Sequence, residues 1–193
     1  MFGTGTTATI AVLLSDGFIV ANVGDSRAVL CCDDKTNRSI SVTVDHTPKV
    51  SAEKNRIIQR GGHVKTDQSG VSRVMGKLAV TRRIGNGSYE GVELLIHDPD
   101  IHIYPFDDEN YRYEFLIVAT DGLWDVMDGQ TAVEVVTEVV RMSQLELSER
   151  SQFLRTYGNY SSEQAFQVAA TALTHMAFML GSTDNIGVCV ISL

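Results

Sequence analysis

The chain has 193 residues, 44% of them hydrophobic, and its 24 acidic and 16 basic side chains give a formal net charge of -8. This length predicts one domain with a sizeable core. The acidic balance argues against binding to nucleic acid or to an anionic membrane, both of which require clustered lysine and arginine. No apolar run approaches the roughly 20 residues of a membrane span, so we expect a soluble protein.

Cysteine usage indicates the compartment. The three cysteines are Cys31, Cys32 and Cys189, an odd number without metal-ligand spacing. This pattern is typical of a reduced, intracellular setting, and we expect the cytoplasm or the nucleus. A mitochondrial location is also compatible with the sequence.

Apolar, β-branched runs separated by turn residues dominate the start of the chain. Residues 6–14 and 18–23 flank a Ser-Asp-Gly turn and predict a hairpin of two buried strands. Residues 27–32 and 40–44 predict two more strands. Four strands in succession predict an antiparallel meander.

The pattern then changes to charged residues with apolar positions on one side. Residues 48–60 predict a short amphipathic helix that ends at a glycine pair. Its apolar side would consist of Val50, Ile57 and Ile58. From 61 to 98 glycine is frequent and periodicity is weak, so we expect an irregular flap.

The second half mixes strands with two long helices. Residues 101–104, 114–120 and 186–191 predict strands, the last two buried. Residues 131–142 are ambiguous, because their valines favour a strand by propensity but recur at helical spacing. We follow the spacing and predict a helix.

A second helix is predicted from Ser162 to Leu180. Ser161 and Gln164 form a capping-box pattern at its start, and Gly181 follows its end. Its apolar face would consist of Ala165, Ala169, Ala172, Met176 and Leu180. Strands with helices that must cover them indicate an α+β fold.

Three aspartates share one setting, a small-residue turn at the edge of an apolar strand: Asp25, Asp121 and Asp184. Carboxylates held at strand ends suit a hard divalent cation such as Mg²⁺ or Mn²⁺. Alternatively, each carboxylate caps backbone N–H groups of its own turn, and for any single one of them the residues alone favour capping.

A series of short segments follows a fixed order along the chain. In chain order they are Gly5-Thr6-Thr7-Ala8, Val23-Gly24-Asp25-Ser26-Arg27-Ala28, Asp45-His46-Thr47-Pro48, Glu53-Lys54-Asn55-Arg56-Ile57, Gly61-Gly62, Arg73-Val74-Met75-Gly76-Lys77-Leu78-Ala79-Val80-Thr81-Arg82, Ala119-Thr120-Asp121-Gly122-Leu123-Trp124-Asp125 and Asp184-Asn185. Their order and spacing resemble the protein phosphatase 2C (PPM) family of metal-dependent protein serine/threonine phosphatases. Nearly the whole chain is covered.

The resemblance implies an α+β fold, a PPM-type sandwich of two antiparallel sheets flanked by helices, with a two-metal centre between the sheets. It implies a single domain over 1–193 with a flap at about 45–98. Asp121 and Asp184 resemble the pair that binds the first Mg²⁺ or Mn²⁺, and Asp25 resembles the ligand of a weaker third ion. We assign no other catalytic or cofactor-binding residue.

The implied activity is hydrolysis of phosphoserine and phosphothreonine by metal-activated water. The partners would be phosphoprotein substrates, with no nucleic acid or membrane, and the complete domain would be a monomer. The alternative is a catalytically inactive adaptor or regulatory binding module of the same fold.

The sequence departs from the family pattern in two places. Family members carry a Glu-Asp motif, an Asp-Gly-His-Gly-Gly motif and a phosphate-binding arginine before the equivalent of Gly5, and these are absent here. We therefore expect the C-terminal two-thirds of such a domain, with an exposed sheet edge, weak divalent binding and negligible activity by itself. Asn86 stands where the family usually has aspartate, which removes a charge from the flap.

Four residues within the matching segments have simpler structural interpretations. Arg27 and Arg82 are expected in ion pairs, because each lies near acidic residues or in a strand context. His46 is expected to be structural within its turn. Trp124 is expected to be a core aromatic beneath the Asp121 turn.

Overall fold

The structure is a computed structural model that describes residues 5–33, 38–85, 88–89, 92–109, 111–145, 161 and 164–193. The chain divides into two compact units. The first unit comprises Met1–Arg27 and Thr43–Pro105, and the second comprises Ala28–Val42 and Phe106–Leu193.

The predicted strands and helices occur in the predicted order, and further short elements that were not predicted lie between them. The strands are β1 (Gly5–Thr6), β2 (Ala8–Leu13), β3 (Gly17–Val23), β4 (Arg27–Asp33), β5 (Arg38–Ser41), β6 (Val64–Thr66), β7 (Ser72–Val74), β8 (Ile84–Gly85), β9 (Ser88–Tyr89), β10 (Val92–Glu93), β11 (Asp100–Pro105), β12 (Arg112–Ala119) and β13 (Val188–Ser192). The helices are α1 (Ser51–Gln59), α2 (Asp121–Trp124), α3 (Gly129–Ser143) and α4 (Ala165–Met179).

The main sheet of the first unit has three antiparallel strands in the order β11-β3-β2. The predicted hairpin is confirmed, since β2 pairs with β3 from Ala8 opposite Val23 to Leu13 opposite Phe18. On the covered face Phe18 and Val20 are fully buried. The Phe18 ring stacks on that of Tyr104, its partner on β11, with the ring centroids 4.9 Å apart. The face of the sheet that carries Phe18 and Val20 is therefore the buried one.

The prediction that both hairpin strands are buried is wrong for β2. Ile10 is 54% exposed, and Val12 is exposed as well. Both lie opposite β3 residues on the face away from Phe18, and β2 is an edge strand. An apolar run predicts a strand, but it does not reveal whether both faces of that strand are covered.

The region after the first four strands has more regular structure than the predicted irregular flap. The helix predicted over 48–60 is confirmed as α1, and β6 and β7 form a short antiparallel hairpin. A small core joins them, made of Ile57, Val74, Leu94 and Leu95. Ile58 was expected on the apolar side of α1 but is exposed, because that core lies on the Ile57 side of the helix.

The main sheet of the second unit has four strands in the order β13-β12-β4-β5. The ambiguous segment 131–142 is helical as predicted, within α3. Its buried residues include Val133 and Val136, which pack in one core with Ala169 and Ala172 of α4. Burial of this helical stripe outweighs the strand propensity of valine.

The predicted four-strand meander is wrong. β2 and β3 belong to one sheet, and β4 and β5 belong to another. The chain changes direction at Gly24, which has a φ of 112°. Local hydrophobic patterns are the same whether consecutive strands pair or separate, so the sequence alone did not distinguish these two topologies.

Two expectations about the C-terminal part need correction. Leu180 was predicted on the apolar face of α4, but it follows the last helical residue and is exposed. The final strand begins at Val188 and is only half-buried, because β13 is an edge strand with one face on α4. In the capping box, the Ser161 backbone N–H does donate to the Gln164 side-chain oxygen at 3.1 Å.

Candidate metal centre

Asp121 is held where β12 turns into α2. β12 ends at Ala119, and Asp121 is the first residue of α2. Trp124 is buried, and its indole N–H donates to the Ala119 carbonyl at 3.0 Å. As predicted, this aromatic residue packs beneath the turn and thereby fixes the backbone that carries Asp121.

The Asp184 loop is tied to this turn by hydrogen bonds. The Thr120 backbone N–H donates to the Gly187 carbonyl at 3.0 Å, and the Gly187 N–H donates to the Thr120 hydroxyl at 3.0 Å. The Thr120 hydroxyl in turn donates to the Asn185 carbonyl at 2.9 Å. These bonds bring the residues that follow Asp184 against the residue before Asp121.

Gly122 permits the close approach of these two segments. A Cβ at this position would lie 2.4 Å from the Asn185 carbonyl oxygen, closer than real Cβ atoms come. On the same side the Ser182 hydroxyl donates to the Gly122 carbonyl at 2.6 Å. The glycine of the Asp-Gly pair is therefore needed for packing against the Asp184 loop.

The electrostatics of the site show that the two carboxylates interact. Burial raises the pKa of Asp121, and repulsion from Asp184 and then Asp125 raises it further. Hydrogen bonds from backbone N–H groups oppose this rise. Asp184 is exposed and accepts the N–H of Asn185 at 2.7 Å. The capping alternative is therefore observed at Asp184, and metal binding by the two carboxylates stays a prediction.

The donor set fits one hard divalent cation. Asp121 and Asp184 supply carboxylate oxygens whose mutual repulsion such a cation would relieve, and Mg²⁺ commonly binds one or two carboxylates with several waters. Within the residues that the structure describes, no three acidic, histidine or cysteine side chains form a metal-binding group.

Asp25, the third predicted ligand, belongs to the first unit. It is half-buried and follows Gly24 in the turn after β3. In the same segment the Arg27 guanidinium binds Asp45 in a bidentate ion pair, with N–O distances of 3.0 and 2.7 Å. The structural interpretation of Arg27 is confirmed.

Glu53 forms a buried polar network that the sequence analysis did not identify. Its carboxylate accepts from Arg56 at 2.7 Å, from the Thr81 hydroxyl at 2.6 Å and from Arg82 at 2.8 Å. Burial raises the pKa of Glu53, but hydrogen bonds from Arg82, Thr81 and Arg56 outweigh it and lower the pKa to about 2. The available signal was the Glu53–Arg56 spacing of three residues on a predicted helix.

Arg82 and Asn86 are two other residues of the flap that the sequence singled out. Arg82 is in ion pairs with Glu53 and Asp100, as expected. Asn86 lies outside the described residues.

An open apolar groove of about 790 Å³ lies along α4 and β13 with Asp184 on its wall. None of the helices in the described ranges has the length and apolar character needed to cross a bilayer.

Comparison with protein families and curated proteins gives a consistent result. The family model described as protein phosphatase 2C matches residues 3–185. The chain is 38% identical over 194 residues to "Protein phosphatase 2C 7" of Arabidopsis thaliana, covering 98% of this chain and 34% of that protein. It is 40% identical over 134 residues to "Protein phosphatase 1L" of Bos taurus, covering 69% of this chain and 36% of that protein.

Solved structures share the fold. A "C.elegans sex determining protein" superposes with a TM-score of 0.73 at 20% identity, covering 97% of this chain and 40% of that one. A "serine-threonine phosphatase 2C from Toxoplasma gondii" superposes with a TM-score of 0.68 at 24% identity, covering 96% and 57%. The predicted α+β fold of the PPM type is confirmed.

The chain spans about a third of the length of the curated relatives it matches, between 31% and 34% of the first two. The family match extends over nearly all of this chain and includes Asp25, Asp121 and Asp184. With this match and the shared fold, the resemblance seen in the sequence is confirmed: the chain belongs to the protein phosphatase 2C family.

Proposed function

We propose that this chain contributes a metal centre to a Mg²⁺- or Mn²⁺-dependent protein serine/threonine phosphatase acting on phosphoprotein substrates. The observation that carries the proposal is the pairing of Asp121 with Asp184 by the Thr120–Gly187 hydrogen bonds. Membership of a family whose curated members are named protein phosphatases supports it. The proposal also retains one domain over 1–193 with a flap at about 45–98.

Asp121 and Asp184 are proposed to bind the cation, and Asp25 to bind a further, weaker one. A bound Mg²⁺ or Mn²⁺ would supply an acidified water as nucleophile and stabilise charge on the phosphoryl oxygens. The chain's own contribution is to hold the carboxylates on a fixed backbone, through Gly122 on one side and Trp124 beneath. No covalent protein nucleophile is required.

The cation site is tested by calorimetric titration of the chain with Mn²⁺. We expect weak binding, because two carboxylates hold a cation less firmly than larger ligand sets do. Asp121→Asn and Asp184→Asn should each weaken binding by about tenfold or more, since each removes a charged ligand but keeps the side-chain shape. For the chain by itself we expect negligible Mn²⁺-dependent phosphate release from a phosphothreonine peptide. Release that is sensitive to these substitutions would contradict that expectation and establish the activity.

The matched control is Asp107→Asn, the same substitution at an exposed position of the second unit. It removes the same charge from the molecule without touching the site, and Mn²⁺ binding should be unchanged. If Asp107→Asn and Asp121→Asn weakened Mn²⁺ binding equally, the binding would depend only on the overall charge of the protein. Undiminished heat in the Asp121→Asn/Asp184→Asn double variant would exclude the assignment.

A further inference from the structure

His46 holds the peptide groups on both sides of Gly24. It is only 1% exposed. Its backbone N–H donates to the Gly24 carbonyl at 2.8 Å, and its Nδ1 accepts the Gly24 N–H at 3.0 Å. One residue therefore satisfies both the donor and the acceptor of the glycine that precedes Asp25.

The second ring nitrogen of His46 has a defined partner. A backbone N–H can only donate, so Nδ1 must be the unprotonated acceptor and the ring proton must lie on Nε2. Nε2 lies 3.0 Å from Asp100 Oδ2, and in this tautomer it donates to that carboxylate. The ring is thereby fixed in orientation at both nitrogens.

The Asp100 carboxylate is itself held in place. Its other oxygen accepts from Arg82 Nη1 at 2.7 Å, and Arg82 also binds Glu53 of α1. Burial raises the pKa of Asp100, but hydrogen bonds from His46 and Arg82 outweigh this and lower it. A continuous series of charged and hydrogen-bonded groups therefore runs from α1 to the His46 ring.

The Gly24 turn is closely packed against Thr7. Gly24 has a φ of 112°, and a Cβ there would lie 2.3 Å from Thr7. The Asn22 side chain is also buried, and its amide donates to the Gly24 carbonyl at 3.2 Å. The Gly24 N–H, in contrast, is paired with the His46 ring, so without an acceptor there it would be a buried, unsatisfied donor.

We propose that His46 is a positioning residue that fixes the backbone carrying Asp25, with its Nε2–H tautomer set by the Gly24 N–H at Nδ1 and by Asp100 at Nε2. This inference rests on the proposed function in that Asp25 acts as a metal ligand. Asp100 and Arg82 act one step further away, by orienting the ring as an outer-shell carboxylate orients a ligating histidine. His46 itself contacts neither metal nor substrate.

Two substitutions separate the two hydrogen bonds of the ring. The Asn amide oxygen takes the place of Nδ1, so His46→Asn keeps an acceptor for Gly24 and loses the bond to Asp100. The Gln amide nitrogen takes the place of Nε2, so His46→Gln keeps the bond to Asp100 and leaves Gly24 unpaired. The control is His102→Gln, at an exposed histidine on β11 of the same unit.

The readouts are NMR hydrogen exchange of the Gly24 amide and Mn²⁺ broadening of the Asp25 and Ser26 amide signals in the full chain. His46→Gln should accelerate Gly24 exchange by about tenfold or more and weaken the broadening by a similar factor, since a buried N–H loses its acceptor. His46→Asn should remain within about threefold of wild type for both, and His102→Gln should be unchanged.

Two results would overturn the proposal. One is that His46→Asn and His46→Gln lose Gly24 amide protection and Mn²⁺ broadening equally, in parallel with a lower melting temperature. A histidine that only stabilises the fold would give this result. The other is an imidazole ¹⁵N spectrum of the wild-type protein that shows the His46 ring proton on Nδ1. This measurement does not depend on the folding of any variant. If wild-type Mn²⁺ broadening near Asp25 is absent, the metal role of Asp25 fails, and Gly24 exchange still decides whether His46 fixes the turn.

Discussion

At the scale of single residues, Glu53 is the buried carboxylate of the described part of the chain, with only 5% of its surface exposed. Burying a charge is costly unless it is paired and hydrogen-bonded. Here Arg56, Thr81 and Arg82 together satisfy both carboxylate oxygens. The sequence shows polar and charged residues at these positions, but which of them meet in the interior depends on the fold of the first unit.

Glu53 should make stability depend on pH in the acid range. Its pKa is about 2 in the folded chain against an ordinary 4.5. The folded-state pKa is lowered, so its contribution, on the order of 3 kcal/mol, is present above about pH 5 and is lost as the pH falls toward 2. Urea unfolding of wild type and Glu53→Gln at several pH values should show a difference in unfolding free energy that shrinks over this range.

Comparing wild type with Glu53→Gln cancels the effect of all other titrating groups on the pH dependence of stability, because both proteins contain them. Glu138→Gln provides the control, because Glu138 is half-exposed and pairs with Arg141 on the surface of α3. Surface pairs of this kind contribute little, so its difference from wild type should be small at every pH. A wild-type advantage over Glu53→Gln that stays constant from pH 7 to 3 would contradict the assigned ionisation.

At the scale of elements, the candidate metal centre depends on the junction of β12 with α2 packing against the segment before β13. Thr120 and Gly187 exchange hydrogen bonds across this contact, and Gly122 allows the backbones to meet. The sequence predicted the turn at Asp121 and the turn at Asp184 separately. Their contact spans more than sixty residues of chain and follows from the antiparallel pairing of β12 with β13.

Gly122→Ala should disturb this junction. Alanine is intrinsically better than glycine in a helix. The new Cβ would nevertheless lie 2.4 Å from the Asn185 carbonyl oxygen, and backbone on both sides leaves little room to adjust. We expect a loss of about 2 kcal/mol or more in unfolding free energy, measured by urea denaturation, together with weaker Mn²⁺ binding.

A matched substitution is Gly129→Ala, at the first residue of α3. Its Cβ would come no closer than 3.3 Å, to side-chain methyl groups of Val29 and not to backbone. The change in stability should stay below about 1 kcal/mol, and Mn²⁺ binding should be unaffected. Similar losses for the two variants would show that the Asn185 contact is not what constrains Gly122.

At the scale of the whole molecule, the first unit carries an uncovered apolar sheet face, formed by Ile10, Val12, Ile101 and Ile103. The four side chains are exposed, with Ile103 at 72%. Ile10 and Ile101 both pair with Ala21, and Val12 and Ile103 both pair with Ile19, so all four point to the same side. A contiguous exposed patch of this kind promotes self-association.

Replacing Ile10, Ile101 and Ile103 with threonine should reduce that tendency. Threonine keeps the β-branched shape that suits a strand while adding a polar group. We expect several-fold lower fluorescence of a hydrophobic dye and less concentration-dependent scattering, at nearly unchanged circular dichroism. Ile58→Thr, at an isolated exposed isoleucine on α1, should leave both signals unchanged. If the triple variant gave the same dye fluorescence and scattering as wild type, self-association would have another origin.

The sequence by itself determined the family, the α+β class, the helical state of residues 131–142 and the turns that carry Asp25, Asp121 and Asp184. These features depend on local spacing, turn chemistry and an ordered series of motifs, all of which are readable along the chain. Only the tertiary structure decided that β3 and β4 enter different sheets, that Ile10 and Leu180 are exposed, and that His46 and Glu53 find their partners. The physical reason is that strand pairing, face burial and ion pairing join residues distant in sequence, where many arrangements share one local pattern.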